Sequence, residues 1–179
     1  MPDPDSPPTA APVLETARLR LRPHRIDDFE ACAAMWGDEE VSRFIGGRPS
    51  TREEVWSRLL RYAGLWTVLG FGYWAVERQA DRRFVGDVGF ADFRRDIVPS
   101  MDGLPEMGWA LSPDLHGQGY AAEAVAAALA WADSRYAATL CIIDPENAPS
   151  IRVARRAGFR ELAHTQYRGD PTIMYRRDR

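Results

Sequence analysis

The chain has 179 residues, enough for one domain at the roughly 150 residues a domain typically takes, and too few for a second core. Its 26 acidic and 23 basic residues leave a net charge of -3, the opposite of the basic excess a nucleic-acid-binding surface carries, and 45% hydrophobic residues exclude disorder for most of the chain. The longest apolar run, 124 to 132, is about half of the ~20 residues a bilayer span needs, so neither a nucleic-acid nor a membrane partner is expected. Every basic residue is an arginine, which excludes a catalytic lysine. Cys32 and Cys141 are far apart in apolar surroundings and read as buried, unreactive thiols, with no metal spacing.

Residues 1–12 are proline-rich, carry Asp3 and Asp5, and lack the basic start and apolar middle of a secretory signal. They read as a flexible tail on a cytoplasmic protein whose single domain spans 13–179. Arg18 to Arg22 alternates with period two, predicting a strand that Pro23 stops. Asp27 caps a helix to about Trp36. A second helix starts at the cap Ser50 or Thr51, with Glu53 and Glu54 in its first turn, and runs to about Ala63, with Gly64, Gly70 and Gly72 marking the loop beyond. Tyr73 to Glu77 and Phe84 to Phe90 form a hairpin, and Glu106 to Leu111 is a third strand. Gly117-Gln118-Gly119 opens an alanine-rich helix from Tyr120 to about Ser134, followed by a strand from Thr139 to Asp144. A short helix from Pro149 to Arg156 ends at Gly158, and Phe159 to Thr165 with Thr172 to Arg176 makes a closing antiparallel pair. The order predicts a mixed α/β (α+β) domain with one β-α-β unit across the glycine turn.

The most informative stretch is Leu111-Ser112-Pro113-Asp114-Leu115-His116-Gly117-Gln118-Gly119-Tyr120-Ala121-Ala122-Glu123. Two glycines between a strand and a helix let the backbone turn tightly and present successive N–H groups at the helix's positive end, which suits a phosphate or pyrophosphate. The same glycines also serve a turn that merely begins a helix. Gly117-x-Gly119-x-x-Ala122 matches the dinucleotide fingerprint as well, with Asp144 in the place of a ribose-binding acid. Against that reading, Ser112 to His116 separate the glycines from their strand, and about 110 residues precede them without alternating parallel units. Glu106 is a candidate general base or the partner of an arginine, with Asp92 and Asp96 as other carboxylates near the same loops. His24 and His164 have no partner at metal spacing. The acidity of Asp92, Asp96, Asp102 and Glu106 favours a cationic acceptor.

With these residues the chain resembles the GNAT family of N-acetyltransferases, in particular the branch that acetylates ribosomal-protein N-termini. The family's Gln/Arg-x-x-Gly-x-Gly/Ala signature falls on His116, Gly117, Gln118, Gly119, Tyr120 and Ala121, with histidine in the first place. Further matching blocks are Glu106-Met-Gly-Trp109, Ser112-Pro113, Tyr120-Ala-x-Glu123, Asn147-x-x-Ser150, Arg156-Ala-Gly158-Phe159 and, near the start, Leu14-Glu15-Thr16-x-Arg18-Leu19. The resemblance covers essentially 13–179. It implies a central mixed, mostly antiparallel twisted sheet, splayed between the fourth and fifth strands and flanked by helices. It further implies acetyl-CoA as acyl donor and no metal. Backbone at Trp109, Ala110 and Leu111 would pair with pantetheine, and His116 to Ala122 would hold the pyrophosphate, with Asn147 and Ser150 as further contacts. Glu106 would be the base for a primary amine attacking in a ternary complex. Ala154 stands where many relatives place a tyrosine acid, and Ser150 would assist the departing thiolate instead. The acceptor would be a protein N-terminus or a small amine, and the protein a monomer or homodimer. A non-catalytic acyl-CoA sensor and an NAD-dependent oxidoreductase are the rival readings.

Overall fold

The computed structural model describes residues 9–179. Its eight strands form one sheet in the order β1-β2-β3-β4-β5-β6-β8-β7. They are β1 (Leu14–Glu15), β2 (Leu19–Arg22), β3 (Tyr73–Arg78), β4 (Phe84–Ala91), β5 (Glu106–Leu111), β6 (Ala138–Ile143), β7 (Arg160–Tyr167) and β8 (Asp170–Asp178). Every neighbouring pair is antiparallel except β5 and β6. The helices are α1 (Phe29–Trp36), α2 (Glu39–Ser42), α3 (Arg52–Leu69), α4 (Tyr120–Asp133) and α5 (Ala148–Arg156). The mixed sheet flanked by helices is the predicted class, with the splay displaced by one place in strand count because β1, only two residues long, precedes the others. It is not the parallel, doubly wound sheet on which a dinucleotide fingerprint works, so that reading of Gly117-x-Gly119-x-x-Ala122 falls.

The sheet has a core on each face. On one, α4 buries Ala124, Val125, Ala128, Leu129 and Ala132 against Leu19, Leu21, Val76, Val88 and Phe90. Trp66, Trp74 and Trp131 meet edge to face there, with centroids 4.7–5.3 Å apart. Each buried tryptophan removes roughly 150–250 Å² from water, about 4–6 kcal/mol of transfer free energy at ~25 cal/mol per Å². On the other face, α1 and α3 pack Cys32, Met35, Trp36, Val55 and Leu59 against Ala75, Phe84 and Ala110. Both cysteines are buried. Burial on both faces explains why β3 and β4 are nearly continuous in buried residues rather than alternating.

The start of the chain and α3 depart from expectation. Residues 1–8 of the expected tail lie outside the described residues, whereas Thr9 to Pro12 pack on the body. Ala11 is buried, the Trp74 indole donates to the Pro12 carbonyl at 2.8 Å, and Thr67 Oγ1 donates to the Thr9 carbonyl at 3.1 Å. A buried indole N–H needs an acceptor, and composition cannot reveal that a proline carbonyl supplies it. Helix α3 runs through Gly64 to Leu69 instead of ending near Ala63. A Cβ at Gly64 would meet nothing, so this glycine costs only its intrinsic propensity, about 1 kcal/mol, while Val55, Leu59, Tyr62 and Trp66 carry the apolar face across it. The stop is Gly70, left-handed at φ 74°, whose N–H returns to the Trp66 carbonyl. The N-terminus is a capping box: Thr51 accepts from the Glu54 amide and the Glu54 carboxylate accepts from the Thr51 amide.

Candidate active site

Strands β5 and β6 are paired at one position only, Glu106 opposite Leu140, where the Leu140 amide donates to the Pro105 carbonyl at 3.0 Å. Beyond it they diverge. The Ser112 amide bonds the Val85 carbonyl, so backbone alternation turns Ala110 and Gly108 towards β4 and turns Met107, Trp109 and Leu111 towards the gap. Within the predicted stretch of Trp109, Ala110 and Leu111, therefore, Ala110 spends its backbone on β4. The Leu111 carbonyl is taken by His116 Nε2 at 2.9 Å. Trp109 is left with an N–H and C=O facing the splay.

The glycine turn is shaped as its composition requires. Gly117 and Gly119 have φ of 74° and 81°, left-handed values that a side chain resists. Gly119 is the N-cap of α4 and has no side chain to bond the first turn; Glu123 N–H is the first to find a helical acceptor, the Gly119 carbonyl. The amides of Tyr120, Ala121 and Ala122 are thereby left open at the helix's positive end. Arg18 holds the turn from behind, donating to the Gln118 carbonyl at 2.9 Å and pairing with Glu123, and Glu123 also accepts from Thr16 Oγ1. The Gln118 side chain bonds the Asp114 carbonyl, and His116 reaches Glu40 at 3.3 Å as well as Leu111. Neither side chain points at the open amides through a hydrogen bond of its own; both brace the loop.

Asn147 caps α5, its Oδ1 accepting from the Ser150 amide at 3.1 Å. The Ser150 hydroxyl has no partner among the described residues. Both line two cavities that meet at Trp109, Asn147 and Ser150. One, about 520 Å³, runs along the glycine turn and the first turn of α4 to Arg152 and Arg156 of α5. The other, about 240 Å³, lies on the far side of β5, between α1, α3 and the loop after β4, and holds Glu106.

Glu106 is buried and held by both oxygens in a fork from Arg95, at 2.6 and 2.8 Å. Burial pushes its carboxyl above the usual value, the Arg95 fork opposing without cancelling the effect. Arg95 lies between the rings of Phe93 and Tyr167, 4.6 Å from each centroid. The stacked rings of Tyr62 and Tyr73, 4.1 Å apart, line the same cavity, and a Cβ at Gly108 would overlap the Tyr73 hydroxyl, so glycine there lets the tyrosine lie on β5. In the sequence Arg94-Arg95-Asp96 reads as a solvated loop or the lip of an acceptor site, Arg156 only as part of a family block, and Arg152 carries no signal. Nothing in local sequence distinguishes them, since the partner of Arg95 is eleven residues away across a loop. Cys141 is buried and its thiol is held well above the ordinary value by burial. Among the described residues there is no group of three side chains able to hold a metal ion, and no helix is long and apolar enough to cross a membrane.

Comparison with known proteins agrees with this geometry. Residues 18–160 match the model of the acetyltransferase (GNAT) domain. An uncharacterised N-acetyltransferase of Bacillus subtilis, YoaA, is 25% identical over 153 residues, 84% of each chain. The solved structure of a putative GNAT-family acetyltransferase from Bordetella pertussis superposes with a TM-score of 0.81 at 31% identity, covering 93% of this chain and 99% of that one. RimL, a ribosomal L7/L12 α-N-protein acetyltransferase solved with coenzyme A, shares the fold at 16% identity and a TM-score of 0.74, covering 93% of this chain and 98% of that one. The chain belongs to the GNAT acetyltransferase family. It is an acyltransferase, which sets aside the binding-only and oxidoreductase readings, and the family's donor is acetyl-CoA.

Proposed function

We propose that this protein transfers the acetyl group of acetyl-CoA to a primary amine by direct attack, at the junction of the two cavities. The observation that carries the proposal is that junction: a cleft floored by open helix amides and a pocket floored by a buried carboxylate meet at the unpaired backbone of Trp109. The amides of Tyr120, Ala121 and Ala122, with Arg152 and Arg156 nearby, suit the pyrophosphate and phosphate charges of the donor, and Trp109 offers its N–H and C=O to the pantetheine amides as a strand would. Acetyl-CoA supplies an activated thioester; the residues of the chain do the rest.

Glu106 takes a proton from the incoming ammonium, directly or through one water, and burial makes it a stronger base than an exposed carboxylate. Main-chain N–H donors of β5 face the oxygen on which charge develops. As the C–N bond forms and the C–S bond breaks, the second amine proton passes to the departing sulfur, with the Ser150 hydroxyl as its hydrogen-bonding partner. Amide, free thiol and one released proton balance the reaction. Neither cysteine takes part. The RimL likeness makes a protein N-terminus one form of acceptor and a small amine the other.

Steady-state rates of thiol release against pH test the base. The acid limb of kcat/KM should lie above the ordinary glutamate value of 4.5, and Glu106→Gln should abolish that limb with a fall in kcat of about 10²–10⁴-fold. Full turnover by the variant at neutral pH would remove Glu106 from the mechanism.

A further inference from the structure

The pocket that holds Glu106 contains an arginine that pairs with no carboxylate among the described residues. Asp92, Asp96, Asp102 and Glu106 read in sequence as an acidic lip, yet Glu106 is neutralised by Arg95 and Asp92 is paired with Arg94 at 3.0 Å. Asp96 faces a separate cavity and Asp102 is exposed. Arg58, on α3, lines the pocket itself. Its guanidinium lies 3.8 Å over the Trp36 ring, and its one hydrogen bond is a long one, 3.4 Å to the Tyr62 hydroxyl. Its Nε is cut off from water and has no acceptor. Among the described residues no carboxylate pairs with it. The acid beneath Trp36, Asp87, is already engaged by both oxygens, one by His24 Nε2 at 2.8 Å and one by the Trp36 indole at 2.7 Å.

With Nε closed off and Nη1 on the Tyr62 hydroxyl, Nη2 has no partner among the described residues, so the Nη end of the fork is what a ligand carboxylate in the pocket can reach. The guanidinium fork matches a carboxylate in shape as well as in charge. Trp36, Phe44, Ile45 and Phe93 give the same pocket apolar walls. Its volume of about 240 Å³ falls below the 300–1,000 Å³ of sites for drug-sized ligands, which suits a metabolite. A polypeptide N-terminus would present a neutral amide to Arg58 where a free amino acid presents an anion.

Resting on the acetyl-transfer reading above, we propose that the acceptor is a small amino acid with an apolar body. Its carboxylate is taken by Arg58 while its amine faces Glu106, which makes Arg58 a specificity-determining residue.

The test compares leucine, methionine, phenylalanine and β-alanine with their carboxamides, their decarboxylated amines and a serine-initiated hexapeptide. Binding to the CoA-saturated protein is measured by calorimetry and thiol release from acetyl-CoA by steady-state kinetics. At least one free acid should have a Kd about tenfold or more lower, and a kcat/KM about tenfold or more higher, than its amide and amine. Arg58→Gln should erase that preference through KM for the acid alone, and Arg58→Lys should keep part of it, with acetyl-CoA affinity unchanged in both as the check on folding. Equal use of amides, amines or the peptide, or no binding of any acid, overturns the proposal. Preferential binding of acids with no thiol release from any acceptor leaves the Arg58 assignment standing and overturns acetyl transfer instead.

Discussion

Arg22 sits almost wholly out of water, where its guanidinium donates to both oxygens of Asp28, at 2.7 and 2.8 Å, and to Glu77 at 2.9 Å. Burial alone would raise the Asp28 carboxyl, but hydrogen bonds from the Arg22 side chain and the Arg25 amide bring it below its ordinary value of 3.8. A depressed carboxylate contributes stability that is fully present above the unfolded pKa and is lost as pH falls through the folded one, so this group adds an acid limb below about pH 4. Asp28→Asn leaves Arg22 with one fewer anion in a buried site and should cost about 3–5 kcal/mol at neutral pH. Urea unfolding at about pH 7 and pH 3 checks both points: the loss should be smaller at the lower pH. A loss that is equal at both would deny the linkage. Legibility in the sequence differs sharply at this scale. Gly117 and Gly119 could be read because glycine is the residue that a left-handed turn selects, whereas Arg95 with Glu106, Arg22 with Asp28 and Arg58 with its vacant Nε are set by the meeting of distant segments.

Elements with a strong period emerged from the sequence close to their final bounds. The hairpin of β3 and β4 is legible as two β-branched and aromatic runs around a polar turn, and the alanine-rich α4 buries a face that repeats at helical spacing. The end of α3 did not, because its glycine at 64 faces open space and leaves the helix unbroken, so the stop falls at the next glycine, Gly70, which takes the left-handed cap. The short helical turn Pro113–Leu115, the two glycines and the start of α4 form the element on which the proposed donor binding rests. An alanine at 119 would have to hold φ near 81°, a strain of about 1–2 kcal/mol, with its Cβ 3.4 Å from the Arg18 guanidinium. Relief of that strain rotates the first amides of α4. Gly119→Ala should weaken acetyl-CoA binding about tenfold by calorimetry while the melting temperature falls by only a few degrees, roughly 2–4 °C per kcal/mol of strain. Undiminished binding would mean that these amides do not hold the donor.

Across the whole molecule, α4 ties the two halves of the sheet together, and Trp131 near its end is the piece that touches Trp66, Trp74, Phe90 and Tyr136. Its indole N–H is buried without an acceptor among the described residues. Trp131→Ala should cost about 3–5 kcal/mol in denaturant unfolding, and Trp131→Phe much less, because phenylalanine fills most of the space and removes an unsatisfied donor. Similar losses for the two would show that the N–H is bonded after all.

The order β6-β8-β7 has a consequence for how the protein is made. Strand β8 follows β7 in the chain yet is inserted between β6 and β7, so both of its neighbours are synthesised before the strand that pairs them. The glycine turn and its brace at Arg18 precede β8 in the chain, whereas β6, which leads to the Ser150 helix, takes its antiparallel partner from β8. The proposed donor turn is thus synthesised before the strand that backs the opposite wall of the cleft, and that wall requires β8 to thread between two strands made before it.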